Sequence, residues 1–338
     1  MLIYFLRLLV LILTYISCVG TYAANPTLLQ QAAEQYINQL YQELANQPTK
    51  ISSRIEFISA KLLGKSYLLG SLGEGGNGEF DQSPLYRIDA FDCQTFVETV
   101  MALALAQNFV TFKQYMHRIR YKDGKVSFFH RNHFTCLDWN KNNQRQGYLQ
   151  DITLSLHNKT YQSVAVWAQT MINRSSWYQY LSSDNNISKK LVKNQAQRSK
   201  FLKQSSKYLS MEVSVIPYIA LTTLIDTQGR VNNYLLKQIP HAAIIEIIRP
   251  NWDLTKIIGT HLNVSHLGFA IWKNDVLYFR EASSNKGYIV DYPFLAYILE
   301  AKRSATIKGI NIQVILPKHM YTARGIVAKE LKCRLKIL

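Results

Sequence analysis

A cysteine at the predicted start of a helix is the first residue whose position suggests chemistry. The stretch "RIDAFDCQTFVETVMALALAQ", residues 87–107, places Cys93 where a loop gives way to a long apolar run without Gly or Pro. Free N–H groups and partial positive charge at a helix N-terminus favour the thiolate, which is the nucleophilic form of cysteine. Free cysteines are otherwise mostly buried and inert, so simple packing is the alternative for Cys93.

Two later residues supply the base and the orienting group that a thiol nucleophile needs. His266 lies in "NVSHLGFAIW", which has the composition of a strand, and Glu281 lies in "LYFREASS" on the strand that follows. A strand holds an imidazole rigidly enough to face a helix-borne thiol, and a neighbouring carboxylate can hold the far ring nitrogen. The pattern predicts a Cys93–His266–Glu281 site, although an ordinary hydrogen-bonded histidine is the alternative for His266 alone.

The elements that position these residues follow an order of helices first and strands later. Apolar residues recur at three- and four-residue spacing through residues 24–63, and a loop with five glycines between Gly70 and Gly78 follows. From residue 211 onward the chain is rich in strand-forming segments, and "KND" between "FAIW" and "VLYF" predicts a short hairpin turn. This order predicts an α+β fold.

The middle of the chain carries weaker signals. Residues 121–139, "YKDGKVSFFHRNHFTCLDW", are interpreted as a hairpin followed by a loop. Residues 140–210 are rich in Asn, Gln, Ser and Lys and are predicted to form a basic, mainly helical insertion. The catalytic domain is therefore expected to span residues 64–338, with that insertion at about 140–210.

The N-terminus has the features of a secretory signal. Residues 1–23 contain an early Arg7, an apolar run of about a dozen residues and a small-residue ending, the pattern of a signal peptide. An uncleaved membrane anchor is one alternative, and lipidation at Cys18 is another. Removing the segment leaves Cys93, Cys136 and Cys333, of which the last two are candidates for a disulfide in an oxidising compartment.

Charge and location together define the expected partners. The chain has 338 residues, a formal net charge of +17 and a pI near 9.6, so its surface should attract polyanions. For an exported protein these are cell-wall polymers or lipid headgroups rather than nucleic acid. We expect a periplasmic monomer without stable membrane insertion after signal cleavage, although a solvated lysine-rich face explains the charge equally well.

Several segments in this order resemble the NlpC/P60 papain-like superfamily of cell-wall hydrolases, and more closely its N-acetylmuramoyl-L-alanine amidase-like branch. They are "GKSYLLGSLGEG" (64–75), "PLYRIDAFDCQTFVETVMALA" (84–104), "RNHF" (131–134), "VSHLGFAI" (264–271) and "FREASS" (279–284). The resemblance spans roughly residues 60–315 and implies a papain-like fold, with the nucleophile at a helix N-terminus packed on an antiparallel sheet. Peptidoglycan or its fragments would be the substrate.

The resemblance also implies roles for individual residues. Cys93 would be the nucleophile, His266 the base and Tyr67 a residue whose hydroxyl lines the site. Asp92 and Ser265 are expected to contribute to substrate binding. Many relatives carry His at the place of Glu281, which makes the third catalytic position the one that departs from the pattern. The chemistry requires no cofactor and no metal.

Another pair, Arg131 and His133, is expected to border the cleft, because an arginine suits the carboxylates of stem peptides. A solvated arginine is the alternative. The spacing of His130, His133 and Cys136 also suggests zinc binding as an alternative. In a strand, however, the alternation of side chains would place the two histidines on opposite faces.

Three other functions remain open from the sequence. The first is cleavage between D-glutamate and the diamino acid. The second is hydrolysis of another amide, or transfer of the acyl group. The third is a non-catalytic wall-binding protein on the same scaffold.

Overall fold

The computed structural model describes residues 26–182 and 195–317. The predicted signal peptide, Cys18 and Cys333 lie outside the described residues, so the expectations attached to them stay predictions. Among the helices that are described, none has both the length and the apolar character that crossing a bilayer demands.

Eleven α-helices are described in this part of the chain. They are α1 (Pro26–Leu44), α2 (Ile51–Lys61), α3 (Cys93–Leu105), α4 (Phe109–Arg120), α5 (Lys141–Arg145), α6 (Arg174–Ser182), α7 (Gln195–Ser206), α8 (Leu221–Leu224), α9 (Asn233–Leu236), α10 (Thr255–Ile258) and α11 (Phe294–Ala301). The predicted N-terminal helical segment is thus a pair of helices, α1 and α2, joined by a turn.

The described strands form one sheet. They are β1 (Ser66–Tyr67), β2 (Ala90–Phe91), β3 (Leu149–Asp151), β4 (Ala165–Asn173), β5 (Met211–Ala220), β6 (Ile244–Leu254), β7 (Thr260–Lys273), β8 (Val276–Ser283), β9 (Tyr288–Pro293) and β10 (Gly309–Ile315). Their order is β2-β1-β9-β8-β7-β6-β10-β5-β4, and β3 pairs with β10. The β1–β2 pair is parallel and the other pairs are antiparallel, so the sheet is mixed and the architecture is α+β.

Both faces of the central strands are buried. Ile244 packs with the helices that precede the sheet, and the next residue of β6, Ile245, packs with a second cluster around Phe294 and Ile298 of α11. Side chains alternate across a strand, so the two clusters lie on opposite faces. Helix α3 packs against β7 and β8 on the first of these faces.

The hairpin of β7 and β8 turns at Asn274 and Asp275, as the sequence "KND" predicts. Both residues have positive φ, 46° and 63°. Two such residues match the twist of the flanking strands in a tight hairpin, and Asn and Asp are among the residue types that adopt this conformation most readily.

Two segments differ from their predicted structure. Residues 121–139 contain two 3₁₀ turns, Lys122–Gly124 and Phe128–His130, and a π-helix, Thr135–Asn140, instead of a hairpin. Residues 140–210 supply β3 and β4 to the main sheet besides three helices. The polar composition of this segment had obscured a nine-residue strand, Ala165–Asn173, which lies at one end of the sheet order.

Candidate active site

Cys93 is the first residue of α3, and Asp92 is its N-cap. An Asp92 carboxylate oxygen accepts from the Thr95 N–H at 2.8 Å, and the Thr95 hydroxyl accepts from the Asp92 N–H at 2.9 Å. The other carboxylate oxygen accepts from the Gly70 N–H at 2.9 Å, which ties the glycine-rich loop to the helix start. Asp92 was expected to bind substrate, but its carboxylate is occupied within the protein, so we assign it to positioning the Cys93 backbone.

His266 lies on β7 beside the start of α3, and Glu281 lies on β8. The Nε2 atom of His266 is hydrogen-bonded to Oε2 of Glu281. This bond leaves Nδ1 as the ring nitrogen that can exchange a proton with the Cys93 thiol. The structure therefore brings together the three side chains that the sequence had singled out, in the order thiol, imidazole, carboxylate.

The electrostatic environment favours a charged imidazole. Burial alone lowers the pKa of His266. The charge of Cys93, its hydrogen bonding to the ring and the interaction with Glu281 outweigh burial and raise the pKa to about 10. At neutral pH the ring is thus an imidazolium beside Cys93, and an imidazolium in this place can protonate a leaving group.

Gly268, two residues after His266 on β7, makes room for the Phe279 ring that packs against His266. A Cβ at Gly268 would lie 2.6 Å from the Arg280 carbonyl oxygen and 2.6 Å from the Phe279 ring. The Phe279 ring packs edge-on against His266, with centroids 5.7 Å apart. Gly268 therefore permits the aromatic contact that holds the imidazole in place.

The pairing of β6 with β7 is interrupted beside His266. Ile247 pairs with His266 and Ile248 with Val264, so Ser265 is an extra residue on β7. The next pair is Trp252 with Leu262, so β6 in turn has extra residues between 248 and 252. Such bulges change the direction in which side chains project and are frequent near active sites.

A cleft of about 380 Å³ opens at these bulges. His266, Glu281 and Ser265 line it, together with three residues that the sequence had not singled out, namely Arg249, Trp252 and Tyr297. The Ser265 hydroxyl donates to the Ile247 carbonyl oxygen at 3.3 Å. Pro250 within the strand-like "IIRPNWDL" is a signal that could have indicated the irregularity, since proline inside a strand is typical of an edge or a bulge.

Tyr67 lies close to Cys93. Tyr67 pairs with Phe91 of β2, two residues before Cys93. Burial, followed by the negative charges of Cys93 and Asp92, raises the pKa of Tyr67 to about 12. The phenol therefore stays protonated at neutral pH and is able to act as a hydrogen-bond donor.

Arg131 and His133 do not line the cleft with His266, and both are engaged elsewhere. The Arg131 Nε donates to Glu74 at 2.7 Å, and its Nη1 donates to Asp81 at 3.1 Å. Arg131 therefore anchors the glycine-rich loop, with its charge already neutralised. The ring of His133 is hydrogen-bonded to the Phe128 carbonyl oxygen at 2.7 Å, and burial holds its pKa well below the ordinary value. Neither residue is placed to bind substrate at the cleft.

The possible zinc ligands in "HRNHFTC" have other partners. His130 Nδ1 is hydrogen-bonded to Ser127 Oγ at 2.7 Å, and the buried Cys136 thiol donates to the Val215 carbonyl oxygen at 3.6 Å. Burial raises the pKa of Cys136 to about 11. Within residues 26–182 and 195–317, no group of three or more His, Cys, Asp or Glu side chains is arranged to hold a metal.

Solved structures resemble the chain at two levels of similarity. Protein LPG0564 from Legionella pneumophila str. Philadelphia 1, of family DUF1460, has 46% identity and a TM-score of 0.82, and the match covers 87% of this chain and 97% of that one. An N-acetylmuramoyl-L-alanine amidase from Bacteroides uniformis ATCC 8492 has 21% identity and a TM-score of 0.54 over 79% of this chain and 99% of that one. The second likeness shows a shared fold only. A search of curated proteins gave no significant match.

A family model decides the assignment. The model for AmiA-like proteins, described as N-acetylmuramoyl-L-alanine amidase-like, matches residues 57–307. That range includes the cysteine, the histidine and the glutamate of the site and covers well over half of the sequence, and on this ground the chain belongs to the AmiA-like family.

Proposed function

We propose that the protein is an exported cysteine amidase of peptidoglycan that cleaves the bond between muramic acid and L-alanine. The observation that carries the proposal is the Cys93–His266–Glu281 arrangement at the N-terminus of α3, in a chain that belongs to an amidase-like family. The fold that best accommodates this arrangement is the papain-like one of the NlpC/P60 superfamily. Export follows from the signal-peptide pattern of residues 1–23.

The reaction proceeds in two stages. The Cys93 thiolate attacks the amide carbonyl carbon, and the first N–H groups of α3, which have no intrahelical acceptor, stabilise the oxyanion. The C–N bond then breaks, and the His266 imidazolium gives its proton to the leaving amine. Water, deprotonated by His266, attacks the resulting thioester and releases the acid and the free thiol.

Glu281 stands where the resemblance to NlpC/P60 hydrolases implies a histidine, and its charge suits the role of orienting His266. A carboxylate beside the imidazole stabilises the protonated ring, as aspartate does in serine hydrolases. Its burial, with only 6% of the residue exposed, keeps water from weakening that interaction. The departure from the family pattern is therefore compatible with activity.

The decisive test is mass spectrometry of peptidoglycan fragments after digestion. Wild-type protein should release intact stem peptides with free L-alanine amino groups, and Cys93→Ala should release none. Cys136→Ala is the matched control, because this other thiol is buried away from the cleft and its loss should leave turnover intact.

Other outcomes would change the assignment. Products cut between D-glutamate and the diamino acid would identify an endopeptidase instead. Unchanged fragments together with retention on peptidoglycan would indicate a wall-binding protein, and unchanged fragments without retention would indicate a different amide substrate.

A further inference from the structure

Arg249 is a cation in the cleft that has no carboxylate partner within residues 26–182 and 195–317. Two other arginines with little exposure have carboxylate partners: Arg280 binds Asp291 through two hydrogen bonds of 2.6 and 2.7 Å, and Arg131 binds Glu74 and Asp81. Within the described residues, Arg249 forms no ion pair. An arginine left in this state lies on the wall of the same cleft that His266 and Glu281 line.

The guanidinium uses few of its donors. Its Nη1 donates to the Thr306 hydroxyl at 2.8 Å, whereas its Nε is shielded from solvent and has no acceptor in the described part of the chain. Leaving such a donor unsatisfied is unfavourable, and exceptions of this kind in a folded protein call for an explanation. An anionic group of a ligand that enters the cleft and reaches the guanidinium would supply the missing charge.

The surroundings hold the guanidinium in one position. Trp252 packs against it at 4.3 Å from the ring centroid, a cation–π contact that restricts the arginine and provides a flat apolar wall. Both residues belong to the irregular part of β6, where Asn251 has a positive φ of 49°. The bulge beside His266 thus places an arginine and an indole in the same cleft as the catalytic base.

The nearby carboxylates do not compete for Arg249. Glu281 is engaged with His266, and Glu300, which also lines the cleft, accepts a hydrogen bond from the Tyr292 hydroxyl. Tyr297 also lines the cleft, and its pKa is raised by burial first, then by the charges of Glu281 and Cys93, while Arg249 acts in the opposite direction. Arg249 therefore shares the cleft with His266 and Glu281 without forming an ion pair with either.

We propose that Arg249 determines specificity by binding a carboxylate on the peptide side of the scissile amide, with Trp252 packing against the same residue of the substrate. In a stem peptide the first such group is the α-carboxylate of D-glutamate, because that residue is linked onward through its side chain. The proposal rests on the proposed amidase function and narrows it. The enzyme would select stem peptides with a free acid at this position over those in which it is amidated.

The test compares two substrates that differ only at this group, N-acetylmuramoyl-L-alanyl-D-glutamate and N-acetylmuramoyl-L-alanyl-D-isoglutamine. Charge-assisted hydrogen bonds contribute about 1.5–3 kcal/mol, so wild-type kcat/KM should favour the acid about 10- to 100-fold, mainly through KM. Arg249→Gln should abolish the preference by slowing only the acid, and Arg249→Lys should restore part of it. Arg303→Gln, which removes an exposed charge outside the cleft, should behave as wild type.

A binding measurement separates this proposal from the proposed function. In Cys93→Ala, calorimetry should show tighter binding of the acid than of the amide, and adding Arg249→Gln should remove the difference. If wild type cleaves neither substrate but this binding preference is present, the amidase assignment fails and carboxylate binding by Arg249 stands. Equal handling of the two compounds by wild type, or a preference that survives in Arg249→Gln, would overturn the role of Arg249.

Discussion

At the scale of single residues, the chemistry depends on how His266 shares a proton with its two neighbours. The ring lies between a thiol and a carboxylate, and these two groups overcome the effect of burial on its pKa. The two described cysteines, Cys93 and Cys136, differ in burial and in the charges around them. Cys93 lies at a helix N-terminus next to a cation, whereas Cys136 is only 5% exposed and its pKa is raised to about 11.

Alkylation should distinguish the two thiols. We expect iodoacetamide at neutral pH to modify Cys93 and to leave Cys136 unmodified, as measured by peptide mapping, because only accessible thiolates react quickly. His266→Gln should slow modification of Cys93 and leave that of Cys136 unchanged. Equal labelling of both thiols in the native protein would contradict the proposed activation.

The pH profile should report on Glu281. The alkaline limb of kcat/KM should lie near pH 10, where His266 loses its proton, and Glu281→Gln should move this limb toward neutral pH. The variant should also lose about 10²-fold or more in kcat/KM. An alkaline limb in the same place for both proteins would rule out the role of Glu281.

The same shift predicts a stability effect with a defined sign. The folded pKa of His266 lies above its ordinary value of 6.5, so the stabilisation is complete below about pH 6.5 and is lost as pH rises to about 10. Denaturant unfolding should therefore show wild type losing more stability than Glu281→Gln between these pH values.

At the scale of elements, the start of α3 carries both structure and function. Asp92 caps this helix and accepts a hydrogen bond from the Gly70 N–H. Asn108 caps α4 with the same kind of capping box, formed with Thr111, but does not bond to the glycine-rich loop. The chain thus contains a matched pair of caps, of which only one touches the glycine-rich loop.

Removing either cap should lower the free energy of unfolding by a similar amount. We expect Asp92→Ala and Asn108→Ala each to lose about 0.5–2 kcal/mol in urea unfolding. Only Asp92→Ala should also reduce kcat, because only this cap positions the Cys93 backbone. A similar loss of kcat in Asn108→Ala would mean that general destabilisation explains both.

The contact of β7 with β8 at Gly268 gives a second element-scale prediction. Gly268→Ala should destabilise the protein by about 1–3 kcal/mol and lower kcat, because the added methyl group meets the Arg280 backbone and the Phe279 ring. Gly76→Ala has open space around the added atom and should stay within about 0.5 kcal/mol of wild type. Thermal unfolding with activity assays would check both.

At the scale of the whole molecule, one buried arginine joins the N-terminal helices to the sheet. Arg280 of β8 is 1% exposed, binds Asp291 of β9, and donates to Ser59 Oγ at 2.8 Å and to the Glu56 carbonyl oxygen at 3.1 Å in α2. It immediately precedes Glu281, so the contact that fixes α2 also fixes the strand that carries the carboxylate.

Arg280→Met should therefore cost about 3–5 kcal/mol of unfolding free energy, because it leaves the Asp291 charge without its main partner. Arg230→Met removes an exposed partner of Asp226 and should cost less than about 1 kcal/mol. Chemical denaturation of both variants would test this, and equal losses would show that the buried pair adds nothing beyond a surface one.

Much of the candidate site could be predicted from the sequence because its signals are local. The capping residues and the apolar run around Cys93 indicate the start of a helix. The hairpin that pairs β7 with β8 brings together His266 and Glu281, which are only 15 positions apart. The alternation of side chains along each strand and the turn residues between the strands are short-range properties, so they can be recognised in a single sequence.

What the sequence left open depended on long-range partners. Arg131 looked suited to a substrate carboxylate, but Glu74, 57 residues earlier, neutralises it, while Arg249 in the cleft forms no ion pair in the part of the chain that the structure describes. The segment of β4 was likewise predicted to be helical. Its pairing partner in the sheet, β5, follows only after α6 and α7, so no hairpin pattern in the sequence marks β4 as a strand. The sequence by itself determined which residues can react, and only the tertiary structure decided which charges remain free to bind, because neutralisation depends on contacts between distant parts of the chain.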